Sequence, residues 1–149
     1  MQRTVIAMAA ALSLLAGCAS QVTSDPKTGV PVIQYEQKPF TPDIERVRAS
    51  TTSYHPTLTV GEAFDRYQFC EAPSRLWEEL EPGSIEFSCK LVPGGIFQVY
   101  WAADKESVRL RSVTVTTMAD AEFAGIDFRR DDAEAILKRV VENQLPPLD

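Results

Sequence analysis

Three patterns of apolar and polar positions divide the chain. Val5 to Ala16 is an apolar run broken only by Ser13. Residues 19–58 hold no sustained period and are punctuated by Pro26, Pro31, Pro39, Pro42 and Pro56. Proline lacks the backbone donor, so this stretch reads as an extended tether. Thr41-Pro42-Asp43 is the exception, a signal for a short helix with Ile44 and Val47 on one face. From Thr59 onward the pattern turns regular, and the folded domain is expected to span 59–149.

Thr59-Val60-Gly61-Glu62 fits a capping box. Val60, Ala63, Phe64 and Tyr67 follow at helical spacing. The helix is expected to end near Phe69 or Cys70, with residues 74–80 adding a further turn that carries Trp77 before Pro82-Gly83. Ile85, Phe87, Cys89 and Leu91 then alternate with Glu86, Ser88 and Lys90, the period of a half-buried strand. Pro93-Gly94-Gly95 predicts a turn and Ile96–Trp101 the return strand. Ala102–Glu106 predicts a second turn and Val108–Thr117 a third strand. Phe123, Ile126 and Phe128 suit a short strand or a packed loop. Asp131 reads as an N-cap with Glu134 three residues on, before a stripe of Ala133, Ile136, Leu137, Val140 and Val141 that Pro146-Pro147 ends. The predicted class is α+β: a helix, an antiparallel meander of three to four strands, and a C-terminal helix packed on one sheet face.

The first apolar run ends in Leu15-Ala16-Gly17-Cys18 and follows the single charge Arg3. Its core of about a dozen residues suits a signal peptide, and a spanning helix needs about 20. Residues 1–18 resemble the lipobox signal of bacterial lipoprotein precursors. The resemblance implies removal of residues 1–17 and acylation of Cys18, which tethers the chain to a lipid bilayer. It further implies a place in the cell envelope; Ala19 favours the outer membrane, facing the periplasm. Residues 18–58 would then be a lipid-anchored flexible tether.

Composition narrows the partners. The 149-residue chain carries a net charge of −6, and loss of Arg3 with the signal would make it −7. Phosphate binding needs clustered Lys and Arg, so nucleic acid is an unsuitable partner. With Cys18 acylated, Cys70 and Cys89 remain, an even number suited to an oxidising compartment. The alternation puts Cys89 on the core face of its strand, within reach of Cys70 at the end of the first helix. A disulfide is therefore expected, with two buried free thiols as the alternative.

Catalytic signals are sparse. The only histidine, His55, falls in the expected tether, away from any serine or cysteine nucleophile of the domain. No phosphate loop, dinucleotide fingerprint, nucleophile elbow or zinc motif is present in the sequence. Glu78, Glu79 and Glu81 read as a solvated face. Asp127, Asp131 and Asp132 lack the spacing of a calcium loop. No catalytic residue, cofactor or metal is expected. Arg109 and Arg111, two apart on a strand, share a face, and with Tyr100 they are the candidate interface, because arginine and tyrosine concentrate at binding hot spots. Trp77 and Trp101 read as core.

The segment Val60-Gly61-Glu62-Ala63-Phe64, with Tyr67, Trp77 and Ile85-Glu86-Phe87, is similar to a pattern in small exported bacterial proteins of unknown role. Size, lipobox and element order also resemble small outer-membrane assembly lipoproteins, at the level of fold alone. The expected function is therefore non-enzymatic: a periplasm-facing lipoprotein that binds another envelope protein. The alternative is a periplasmic inhibitor or small-ligand-binding module.

Overall fold

The structure, a computed structural model, describes residues 22–24, 31–33, 36–119 and 122–148, with the side chains of 36–117 and 125–148. The expected signal peptide and Cys18 lie outside the described residues. The chain divides into two compact units, Met1–Gln34 and Tyr35–Asp149. In the first, β1 (Val22–Ser24) pairs antiparallel with β2 (Pro31–Ile33), Val22 opposite Ile33. Among the described residues no helix is long and apolar enough to cross a membrane.

The second unit is α+β, as expected, but it begins earlier than Thr59. Helix α1 (Pro42–Ala49) starts on Thr41, whose hydroxyl accepts from the Ile44 amide, with Pro42 in the first turn. Ile44 and Val47 are 2% and 0% exposed and belong to the core. Residues 42–49 are thus part of the domain and not of a tether, because the two apolar side chains of one short helix bury against the sheet. A small hairpin follows, β3 (Thr51–Thr52) with β4 (His55–Thr59). It leads into α2 (Val60–Asp65), whose predicted capping box is formed in both directions between Thr59 and Glu62. Helix α2 is shorter than expected and ends at Asp65. At Gly61 a Cβ would sit 3.0 Å from Arg48 Cβ, so the glycine lets α1 and α2 approach. Arg48 then clasps Asp65 through two hydrogen bonds, of 2.7 and 3.2 Å.

A 3₁₀ turn (Ala72–Ser74) opens into a five-stranded antiparallel sheet in meander order: β5 (Leu76–Glu81), β6 (Ser84–Lys90), β7 (Ile96–Ala103), β8 (Val108–Ala119) and β9 (Glu122–Arg129). Residues 76–81 are strand and not helix. Trp77 opposes Phe87 and points inward, and the Pro82-Gly83 pair is the hairpin turn, with Gly83 at φ +77°. Helix α3 (Asp131–Val141) returns over β8 and β9 with the predicted apolar stripe buried. Its N-cap is Arg130, not Asp131, and no side chain caps it. Asp131, Asp132 and Glu134 instead occupy the first turn, where negative charge suits the helix dipole.

One sheet face and the helices enclose an aromatic core. Phe64 of α2 sits at its centre, with ring centroids 4.5 Å from Phe87, 5.5 Å from Trp101 and 5.7 Å from Trp77. Trp77 and Trp101 stack at 5.4 Å. Cys70 and Cys89 are joined in a disulfide, Cα atoms 5.7 Å apart, with Cys89 buried on the core face. The loop before β5 is gathered by Arg75, whose guanidinium donates to the carbonyls of Asp65, Tyr67 and Cys70.

Candidate functional site

The opposite sheet face is polar, as an antiparallel sheet with one wet side requires. Glu78, Glu86, Gln98, Tyr100, Ser112, Thr114 and Asp127 stand on it, half-buried or exposed. Tyr100 lies between Glu86 of β6 and Ser112 of β8. Partial burial and the Glu86 carboxylate push its phenol above the usual range. Glu86 also accepts from Gln98 at 2.9 Å.

The two candidate arginines lie beside this tyrosine, but not in simple alternation. The register shifts between Tyr100 and Trp101: Tyr100 opposes Ser112, while Trp101 opposes Leu110. Arg111 is therefore the extra residue of a β-bulge, a feature that re-aims side chains and ends pairing. Arg111 is exposed and has no ion pair among the described residues. Arg109 is opposite Ala102 and meets Asp104 at 3.3 Å, with 70% of its side chain exposed. Asp104 is held below the usual carboxylate range, mainly by the backbone N–H of Glu106 and the hydroxyl of Ser107. A shallow depression of about 170 Å³ is framed by Ala102, Arg109, Leu110 and Arg111.

The same stretch of β8 lines a second hollow on the core side, which the sequence did not reveal. A cleft of about 180 Å³ has Trp101, Val108 and Leu110 as its floor. Residues 50–53 of the β3–β4 hairpin form one wall, and Glu134 and Leu137 of α3 the other. Tyr54 donates from its hydroxyl to Glu134 at 2.9 Å and ties the hairpin to α3. Burial, then the bond to Glu134 and its charge, raise the Tyr54 phenol. Thr52 Oγ1 is buried on the hairpin wall without a hydrogen-bond partner among the described residues. Pockets that enclose drug-sized ligands run from roughly 300 to 1,000 Å³. This hollow is smaller, of the size of a side chain or a ligand fragment.

The remaining candidates are dispersed. His55 is inside the folded unit and not in a tether, because β4 pairs with β3; its ring Nδ1 is 3.3 Å from Thr57 Oγ1 on an exposed strand. Glu79 accepts from the Gly83 amide at 3.1 Å, and hydrogen bonding from Thr41 and then Gly83 lowers its pKa, so it clasps a turn. Glu78 opposes Glu86 on the wet face, and Glu81 is exposed at the end of β5. Asp127 pairs with Arg129 at 2.7 Å, while Asp131 and Asp132 open α3. Among the described residues no three His, Cys, Asp or Glu side chains converge as a metal site would need. Trp77 and Trp101 are 3% and 2% exposed. Comparison with known proteins adds no relative to this geometry: no family model, no curated protein and no solved structure matches the chain.

Proposed function

We propose that this chain is a lipid-anchored protein of the bacterial cell envelope that binds another envelope protein and catalyses no reaction. Residues 1–17 would be removed and Cys18 acylated, leaving the domain on the periplasmic side of the outer membrane. One acyl chain anchors only marginally and two or more anchor stably, so the tether would be lipid. The observation that carries the binding reading is the placement of Tyr100, Arg109 and Arg111 around one end of the sheet, exposed or half-buried, beside a cleft of side-chain size. Arginine and aromatic residues next to a small pocket are the composition of a binding hot spot.

Two experiments test this reading. Cys18→Ser should move the protein from the membrane to the soluble fraction; a variant that stays fully with the membrane would refute the lipid anchor. Crosslinking of the intact protein in cells should capture an envelope protein at a stoichiometric level, and the R109E/R111E pair should lose it. Capture that ignores both charge reversals would remove this surface from the interaction.

A further inference from the structure

The sheet is bounded by β5 on one side and β9 on the other, and β9 leaves the first residues of β8 uncovered. On the β5 edge, the Gln37 side chain takes the place of a neighbouring strand. Its Oε1 accepts from the Trp77 amide at 2.7 Å and its Nε2 donates to the Trp77 carbonyl at 2.9 Å. At Trp77, that edge carries its own stopper. On the other side, β9 pairs with β8 only from Ser112 onward, where Ser112 opposes Arg129. Arg130 then turns the chain away at φ +53° into α3. Val108, Arg109, Leu110 and Arg111 are paired with β7 or bulged from it on one side, and among the described residues no strand pairs with them on the other. Four residues of β8 therefore present an open edge, and unpaired strand edges template the addition of another strand.

We propose that this edge is a β-augmentation site for an extended segment of the partner protein in which acidic and apolar residues alternate. The proposal rests on the protein-binding reading above and specifies its mode. Side chains of an added strand alternate between the two faces of the sheet. On the core side they meet the open cleft lined by Val108 and Leu110, both half-buried, and by the polar residues 50–53. Glu134 on the cleft wall disfavours an acid there. On the wet side they meet Arg109 and Arg111, of which Arg111 has no carboxylate partner among the described residues. An acidic residue complements that charge, and does so on a protein whose overall charge of −6 would repel acidic segments elsewhere. Main-chain hydrogen bonds would supply affinity, and the alternate side chains would supply specificity.

The probe is the hexapeptide acetyl-Glu-Val-Glu-Leu-Glu-Val-amide, titrated into the full chain in detergent micelles and read by backbone amide exchange. Binding should slow exchange within residues 108–111 by about tenfold or more when the edge amides become paired. The same peptide N-methylated at alternate residues keeps every side chain but cannot pair as a strand, and it should not bind. Arg111→Glu should weaken the peptide by about tenfold, equivalent to ~1.4 kcal/mol, and should favour the analogue with lysine in place of glutamate. No protection at millimolar peptide, protection confined to another surface, or equal binding of the N-methylated peptide would each overturn the proposal. Photocrosslinkers placed in cells at Arg111 and at Glu86 separate this failure from that of the broader reading. Capture at Glu86 alone keeps protein binding and removes the edge; no capture at either removes both.

Discussion

The two ends of the sheet are built to opposite ends. Around β5 the chain supplies several covers of its own: Gln37 pairs the Trp77 backbone, Arg48 lies over the Trp77 ring at 5.2 Å, Arg75 gathers three carbonyls and the disulfide joins the preceding loop to β6, while Leu80 stays exposed. Around Val108–Arg111, among the described residues, no strand covers the edge, a hollow lies on either face, and Arg111 has no ion pair. A small domain manages an edge strand because an unmanaged one invites association. The association proposed above would use the end that is left open.

The largest effects should fall at the closed end. Phe64→Ala removes the ring that touches Trp77, Phe87 and Trp101, and Phe→Ala in a packed core costs about 3–5 kcal/mol. Leu110→Ala, on the half-buried floor of the cleft, should cost less, about 1–2 kcal/mol, since its side chain is smaller and only partly buried against the core. Equilibrium denaturation compares them directly. Equal costs would mean that the cleft is part of the core and the contrast between the ends is false. Next in size is the disulfide. Cys70→Ser should lower stability by about 3 kcal/mol under oxidising conditions, the chain-entropy value for a loop of this length, and by much less in reductant. A melting temperature unchanged by the substitution would show that the bond contributes nothing to the closed end.

Much of this architecture was legible in the sequence, for local reasons. The capping box at Thr59 and Glu62, the alternation through Phe87 and Cys89 and the stripe of α3 are signals within one element. The parity that put Cys89 on the core face also anticipated its bond to Cys70. β5 was missed because Leu76, Glu78, Glu79, Leu80 and Glu81 are good helix formers, and only pairing with β6 makes them a strand. Helix α1 was seen as a helix but not as core, since nothing local says what Ile44 and Val47 will cover. The bulge at Arg111 did leave a trace. Apolar positions run Val108, Leu110 and then Val113, Val115, a change of phase that one extra residue explains. The cleft left none, because its walls come from residues 50–53 and from Glu134 and Leu137, far apart in the chain.

Gln37→Ala tests the closed edge at smaller cost. It leaves the Trp77 amide and carbonyl to water, and losing two hydrogen bonds at a part-buried edge should cost about 1–2 kcal/mol. The more telling readout is association. Removing the stopper should free the Trp77 backbone on the β5 edge, with concentration-dependent self-association beyond the parent's in analytical ultracentrifugation. A variant that remains as monodisperse as the parent would mean that Gln37 is a packing residue and not an edge cover.

The smallest effect, and the one that separates the hairpin strap from the core, is the pH response of Tyr54. Tyr54→Phe at neutral pH should cost less than about 1 kcal/mol, since the bond to Glu134 is exposed. The folded-state pKa of Tyr54 is raised above 10.0, so its contribution is fully present below that pH and is lost as pH rises through the folded value. Tyr67 moves in the same direction for a different reason: burial disfavours its phenolate, and its hydroxyl donates to the Gln144 carbonyl at 2.7 Å. Stability should thus fall above pH 10 in both parent and Tyr54→Phe, led by Tyr67. The cleft, however, should loosen earlier in the parent than the core melts, because an ionised Tyr54 would face the Glu134 carboxylate. Amide exchange over residues 50–54, followed from pH 8 to 11 against a Tyr54→Phe control corrected for intrinsic rates, reads that difference. If parent and control loosen together, the strap carries no charge-dependent closure, and the open end of the sheet is held by packing alone.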